Sequence, residues 1–361
     1  MNGGAIMTQR ESFARLMRYE KVSCLPVLAM EPTERDTIRN WRSQGLPENS
    51  TPEGYLGMGA EYKLPVFFYP FPRFEKRILS EDETYRTEVA PMGCIVKRRR
   101  DYPSMYYGYV DYPVKSLADW REYAGRFVVD EYRYGDDLDG MAGDAALSTN
   151  PVSIMVYPFF MRLGLYALGL ETFLTAFYDT PELIHEMFDY WSDFTVRLLE
   201  PVLQRITPDV VTFMEDLAFK NGPHISPGIY RDFWIPYQNR VVSLLAKYGV
   251  ENICVHSSGD FRLLIPDMME NGINMIWPLD RNSGMDPAQL RKEYGPRLKM
   301  AGGIGKHTLM EGPDAIDREL ERLLPLIRQG GYFPALDDIV PPEVPFANYA
   351  YFIERCKAIK P

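Results

Sequence analysis

Short apolar runs alternate with amphipathic stretches through the C-terminal half of the chain. The runs are rich in β-branched residues, as expected for parallel strands that are buried on both faces. Between them, apolar residues recur at helical spacing, as in Ile229–Tyr248 and Asp314–Arg328. The pattern predicts strands at Val152–Val156, Asp209–Met214, Asn252–His256, Asn274–Pro278, Leu298–Gly302 and Gly331–Pro334.

Repeated strand–helix units predict a parallel sheet, because each helical crossover returns the chain to the same end of the sheet. A further strand near Val22–Met30 opens the series, and we expect an eighth strand hidden in the first half of the chain. The predicted fold is therefore α/β, a (β/α)₈ TIM barrel. An open, doubly wound sheet is the alternative, although no GxGxxG turn follows the first strand.

Residues 31–150 have a different character, rich in Tyr, Pro and charge. The segment Tyr85–Arg100 predicts a β-hairpin. We interpret residues 31–150 as an elaboration over one mouth of the barrel, within a single domain that spans residues 1–361. The acidic turn Asp136–Asp139 is interpreted as a solvated loop, with cation binding as the alternative.

The 361 residues carry a net charge of −10, which disfavours nucleic acid and anionic membrane surfaces as partners. The one basic cluster, Lys97–Arg100, is interpreted as a solvated edge or as the rim of a pocket for an acidic substrate. Four scattered cysteines without a CxxC pair are typical of a reducing compartment. The first residues resemble no signal peptide and no apolar run is long enough to span a membrane, so a cytoplasmic location is expected.

In a barrel, chemistry is carried by polar residues that follow the strands. Glu215 and Asp216 end one buried run, and His256 ends the next. Buried acids are costly unless they are paired or bound, and a histidine at this place can bind a metal or transfer a proton. These three are the predicted catalytic residues. A helix-terminal acid pair, or a structural histidine, is the alternative reading.

Two further strand ends carry acids. Asp280 follows one run, and Asp337 and Asp338 follow the last. Each could instead cap a helix or turn. With His256 on the same rim, Asp280 and Asp337 make a candidate set of hard metal ligands, or an acid–base group without a metal.

Several segments resemble the uroporphyrinogen decarboxylase superfamily, which also contains zinc- and corrinoid-linked methyltransferases. The resemblance covers most of the chain and is most specific in the last 150 or so residues. It rests on the segments MTQRESFARLMRYEKVSCLPV, MEDLAFKNGPHISP, VHSSGD, MAGGIGK and GGYFPALDDIVPPEVPFANYAYFIE.

The decarboxylases of this superfamily carry an Arg-Gln-Ala-Gly-Arg-Tyr stretch after the first strand, which grips substrate carboxylates. The corresponding stretch here is AMEPTERDTIRNW, where Arg35 and Arg39 are the nearest substitutes. The resemblance to the methyltransferase branch, whose zinc is bound by His-x-Cys and a later Cys, places His256 on the histidine and Ser258 on the first cysteine. Asp280 falls near an acid ligand and Asp337 near the last cysteine.

We therefore expect a methyltransferase that moves a methyl group between a small substrate and a corrinoid protein. Zinc is expected at His256, Asp280 and Asp337, with Glu215 near the leaving group. The substrate-binding candidates are Arg35, Arg39, Ser258 and Asp338. A decarboxylase acting on a porphyrinogen or other polycarboxylate is the alternative, and a non-enzymatic ligand-binding barrel ranks third. By analogy with similar proteins, the chain could form a homodimer.

Overall fold

A curled parallel sheet forms the centre of the computed structural model, which describes residues 7–31, 33–101, 107–135 and 137–361. Its strands are β1 (Leu28–Ala29), β2 (Gly59–Ala60), β3 (Tyr62–Lys63), β8 (Val152–Val156), β9 (Val210–Met214), β12 (Ile253–His256), β13 (Met275–Trp277), β14 (Lys299–Ala301) and β15 (Tyr332–Phe333). Seven of them pair in the order β15, β14, β13, β12, β9, β8, β3, and β1 pairs with β2, which immediately precedes β3 in the chain.

This architecture confirms the (β/α)₈ barrel. Residues 59–63 pair in parallel with β1 on one side and with β8 on the other, so they supply the expected eighth strand. The opening strand is shorter than predicted, since only Leu28–Ala29 of Val22–Met30 is extended and paired. Ile154, Val211 and Val255 are fully buried at the centre of the sheet, which explains its nearly continuous apolar runs.

Helices cover the outside of the sheet and agree closely with the periodic stretches. The predicted helix Asp314–Arg328 extends over Pro313–Gln329, and Ile229–Tyr248 divides into a π-helical turn, Tyr230–Trp234, and a helix, Ile235–Lys247. The other helices are Gln9–Met17, Arg35–Ser43, Pro52–Tyr55, Leu117–Ala124, Leu138–Leu147, Phe160–Ala167, Leu170–Asp179, Pro181–Leu203, Pro227–Ile229, Ile265–Glu270, Pro287–Tyr294, Lys306–Glu311 and Phe346–Ala358. In the part of the chain that the structure describes, no helix is both long and apolar enough to cross a membrane.

The elaborated region contains an antiparallel four-stranded sheet, here called the inserted sheet. Its strands are β4 (Ile78–Glu81), β5 (Tyr85–Val89), β6 (Ile95–Arg99) and β7 (Gly108–Asp111), paired in that order. The predicted hairpin corresponds to β5 and β6. The remaining short strands are β10 (Ala218–Phe219) and β11 (Gly222–Pro223), which form a hairpin after β9.

The acidic turn Asp136–Asp139 lies partly outside the described residues, at Asp136. The Asp137 carboxylate accepts a hydrogen bond from the backbone N–H of Asp139 and caps the helix Leu138–Leu147. This contact gives Asp137 a local structural role.

Candidate active site

Four ionisable side chains from distant parts of the chain lie at the carboxyl ends of the barrel strands. Glu31 follows β1, Asp216 follows β9, His256 ends β12 and Asp338 follows β15. Adjacent strand ends bring His256 and Asp216 together, since β9 and β12 pair with Met214 opposite His256. We call these four residues the proton cluster.

His256 is held by a carboxylate that sequence reasoning did not select. Its Nε2 lies 2.8 Å from Oε1 of Glu31, and the two side chains are only 6% and 15% exposed. The imidazole also meets the Trp277 ring edge-to-face, with 4.5 Å between centroids. Its Nδ1 is buried and has no hydrogen-bond partner among the described residues. The pair fixes one ring nitrogen and leaves the other for a ligand or a proton.

Asp216 pairs with an arginine from the helix after β8. Its Oδ2 lies 2.8 Å from Nη2 of Arg162. Burial raises the pKa of Asp216, the charges of Arg162 and His256 oppose this shift, and the charges of Asp338 and Glu31 add to it. The net shift is upward, so Asp216 retains a proton to higher pH than an ordinary aspartic acid does.

Glu215, a predicted catalytic residue, is buried behind the strand ends and holds neighbouring elements of the site together. It is fully buried, and its Oε2 accepts a hydrogen bond of 2.6 Å from the backbone N–H of Met161 while its Oε1 accepts one of 2.9 Å from Nε1 of Trp234. Burial raises the pKa of Glu215 to about 8. Because both oxygens are used, Glu215 fixes the start of the helix Phe160–Ala167, which carries Arg162.

The predicted metal set does not assemble. Asp280 accepts hydrogen bonds from the backbone N–H of Asn282 at 2.9 Å and from the Ser283 hydroxyl at 2.5 Å, so it caps a turn. Among the described residues, no group of three or more His, Cys, Asp or Glu side chains is arranged to hold a metal ion. The geometry therefore does not support His256, Asp280 and Asp337 as joint metal ligands.

Asp337 joins three of the loops that follow strands. The Asp337 carboxylate accepts hydrogen bonds from the backbone N–H of Lys306 at 3.1 Å and from that of Arg281 at 3.3 Å. Asp337 is only 1% exposed. Burial raises its pKa to about 6. These contacts give Asp337 a structural role as a hydrogen-bond acceptor for two loops. This corresponds to the capping role considered as the alternative for this acid.

Replacing Asp337 by Ala should lower the free energy of unfolding by about 1–3 kcal/mol, because two partly buried N–H groups lose their acceptor. Chemical denaturation of the variant and the parent measures this loss. Asp314→Ala, an exposed aspartate in the first turn of the helix Pro313–Gln329, is the matched control and should cost less than about 1 kcal/mol. Equal losses in the two variants would contradict the structural role.

The four predicted substrate-binding residues occupy different surroundings. Asp338 pairs with Lys306 at 2.9 Å and lines a cleft at the barrel mouth. Ser258, two residues after His256, is half-buried, and its backbone carbonyl accepts a hydrogen bond from the Ser257 hydroxyl. Arg35 is exposed, and Arg39 is 74% exposed and pairs with Asp36 at 2.9 Å. Neither arginine is among the described residues that line the cleft.

That cleft, of ≈ 590 Å³, separates the inserted sheet from the loop after β15. Tyr85, Lys97 and Tyr107 contribute to one wall, while Asp338 and Pro341 contribute to the other. Its size is typical of sites for small molecules. Because Asp338 both lines the cleft and influences the pKa of Asp216, the cleft adjoins the proton cluster.

A parallel barrel with ionisable groups and a cleft at its C-terminal strand ends has the organisation of barrel enzymes. The chain belongs to the uroporphyrinogen decarboxylase (URO-D) family, whose model matches residues 147–359. Among solved structures it is similar to a methyltransferase from Methanosarcina mazei, with 13% identity, a TM-score of 0.59 and coverage of 97% of this chain and 98% of that one. At this identity the likeness shows the fold. No curated protein sequence matches the chain.

Proposed function

We propose that this enzyme transfers a methyl group from an oxygen or nitrogen of a small substrate to a corrinoid carried by a partner protein. The observation that carries the proposal is the contact between Asp216 and Arg162 beside the His256–Glu31 pair. It provides a carboxyl group with a raised pKa, fixed in direction, at the barrel mouth. The full-length fold similarity to a methyltransferase supports the same reaction class.

Methyl transfer from oxygen or nitrogen requires an acid at the leaving atom. The bond between carbon and the leaving atom breaks, the methyl group passes to the acceptor, and the bonding electrons stay on the leaving atom. That atom is a poor leaving group unless it is protonated. A reduced corrinoid, when bound at the mouth, would supply the electron pair that accepts the methyl group.

In this proposal Asp216 donates the proton to the leaving atom. Its raised pKa keeps the acid form available, and Arg162 holds the carboxyl group in place and stabilises the carboxylate that remains. His256, on the neighbouring strand end, returns a proton to Asp216, while Glu31 fixes the orientation of the imidazole.

Zinc is not required by this proposal, and no step depends on it. The carboxylate oxygens of Asp280 and Asp337 are engaged by local N–H and O–H donors, so these residues do not fit a shared zinc ion with His256. The hard donor set also lacks the thiolates with which zinc usually activates thiols.

Decarboxylation of a polycarboxylate is less well supported by the geometry. Arg162, at the strand ends, is engaged by Asp216, and Arg39 points its charge to solvent beside Asp36. Arg98 and Arg99 in the cleft are paired with Glu88 and Asp101. A decarboxylase of this kind needs several cations that are free to bind substrate carboxylates.

The proposal is tested by incubating the protein with free reduced corrinoid and methylated probes, methylamine and methoxylated phenols. Formation of methylated corrinoid above the rate without protein is expected, and it is followed by absorbance. A parallel incubation with a porphyrinogen, analysed by mass, tests the alternative. Release of carbon dioxide without any methyl transfer would overturn the proposal, and inactivity in both assays would favour a binding role.

A further inference from the structure

The cleft beside the proton cluster has a basic and aromatic wall that methyl transfer itself does not explain. Four cations line it, Lys97, Arg98, Arg99 and Lys306, together with three acids, Glu34, Asp338 and Glu343. The side of the cleft formed by the inserted sheet carries three of the four cations. A ligand in the cleft therefore meets cationic side chains at the end formed by the sheet, and their ion pairs decide which of them can bind it.

Most of these cations already have carboxylate partners. Nε of Arg98 lies 3.0 Å from Oε1 of the buried Glu88. Arg99 makes two contacts with Asp101, at 2.7 and 3.0 Å. Nζ of Lys306 lies 2.9 Å from Asp338. Carboxylates compensate most of the charge on these three residues. They therefore shape the cleft but contribute little attraction for an anionic ligand.

Lys97 differs from the other cations of the cleft. Its Nζ lies 4.5 Å from the centroid of the Tyr85 ring, and its charge acts on the Asp82 carboxylate, but it forms no ion pair within 4 Å of a carboxylate among the described residues. Its position on β6 opposite Thr87 of β5 places it in the middle of the sheet, where the backbone fixes the base of the side chain. Lys97 can therefore turn its ammonium group to an anion without breaking a salt bridge.

The neighbouring rings define the rest of the ligand. Tyr85 lines the cleft on the same face of the inserted sheet as Lys97, and Pro341 and Pro342 line it from the loop after β15. Tyr107 also lines the cleft but lies on the other face of the inserted sheet, where Arg98 is 4.7 Å from the centroid of its ring. The Tyr85 ring and the two proline rings offer apolar surface to a ligand, which suits a flat apolar body.

We infer that the cleft binds a flat molecule whose anionic group pairs with Lys97, so that its opposite end reaches the proton cluster. The inference deepens the proposed function by naming the substrate class, an anion with a planar apolar body. The anionic group is a carboxylate or a phosphoryl group, and it lies at the end of the substrate remote from the reacting bond. The inserted sheet selects the substrate by charge, and the strand ends carry out the reaction.

Binding of simple probes tests this inference without any methyl acceptor. Benzoate provides a flat carboxylate, benzamide its uncharged counterpart, and inorganic phosphate the other anion. Dissociation constants are measured by calorimetry or ligand-observed NMR for the full chain and for Lys97→Met, which keeps the aliphatic stem. Lys292→Met, at an exposed lysine of the helix Pro287–Tyr294 outside the cleft, is the matched control.

We expect benzoate to bind about 5-fold more weakly to Lys97→Met than to the parent and to Lys292→Met. The affinity of the parent should fall with added salt, and that of Lys97→Met should not. Benzamide should bind the three proteins equally. If phosphate rather than benzoate shows the dependence on Lys97, the inference holds with a phosphoryl group as the anion.

Unchanged benzoate and phosphate affinity in Lys97→Met would overturn the inference, as would a failure of both anions to bind the parent at millimolar concentrations. The result is independent of the proposed reaction. Binding that depends on Lys97, combined with no methyl transfer, would leave the anion site standing and remove only the reaction.

Discussion

Replacing Asp216 by Asn is expected to lower turnover by about 10²–10⁴-fold, the range for loss of a general acid. Asn has nearly the same shape and can still accept a hydrogen bond from Arg162, so the fold and substrate binding should be retained. The amide cannot donate a proton to the leaving atom. The kcat and KM of parent and variant, measured across pH, check this expectation, and the loss should lie in kcat.

The pH profile separates an acid from a structural residue. In the proposed mechanism the acid form of Asp216 is the active one, and its pKa is raised, so the rate of the parent should fall as pH rises through that pKa. The residual rate of Asp216→Asn should lack this fall.

Asp280→Asn is the matched control for Asp216→Asn. Asp280 is also an aspartate that follows a barrel strand, but it caps a turn, and Asn replaces Asp well as a cap. Its turnover should stay within about twofold of the parent. An equal loss in the two variants would contradict the role of Asp216 and revive the predicted metal set.

Replacing Glu215 by Ala is expected to cost about 2–5 kcal/mol of folding free energy. The change leaves the Nε1 of Trp234 and the backbone N–H of Met161 buried without an acceptor. Denaturant unfolding measures the loss, with Glu270→Ala, at an exposed glutamate, as the matched control. A loss no larger than in the control would show that Glu215 does not hold the site together.

The stability of the parent should also fall as pH rises toward 8. The folded state raises the pKa of Glu215 from its ordinary value of 4.5 to about 8, so the folded protein binds this proton more readily than the unfolded chain. Folding is therefore favoured at low pH, and the advantage is lost between these two values. Asp337, with a pKa of about 6, acts in the same direction at lower pH. Glu215→Gln should flatten the dependence between pH 6 and 8.

The barrel could be predicted because its strands are buried on both faces and produce apolar runs that stand out from the helices between them. The eighth strand could not be located, since residues 59–63 read GAEYK and contain no such run. Gly59–Ala60 and Tyr62–Lys63 are extended because strands on both sides pair with them. Tertiary pairing, and not local preference, determines this strand.

The rule that polar residues after strands carry function selected Asp216 and His256, which the structure places at the barrel mouth, but it could not rank the acids around them. An acid that follows a strand looks the same in sequence whether it caps a turn, as Asp280 does, or faces the cleft, as Asp338 does. Glu31 also follows a strand, the first one, and so satisfies the same rule. It was not selected because the sequence pattern places residue 31 at the start of the elaborated region. Arg162 lies within a helix, where no sequence pattern marks it.

The walls of the cleft come from separate stretches of chain, with Lys97 and the tyrosines on the inserted sheet and Asp338 on the barrel. Asp216 and His256 belong entirely to the barrel. If Lys97 binds the substrate as we propose, exchanging the strands around it would change which molecules bind, while Asp216 and His256 keep their positions on the barrel. In protein engineering, the inserted sheet could then be exchanged between related proteins without altering the barrel that holds Asp216 and His256.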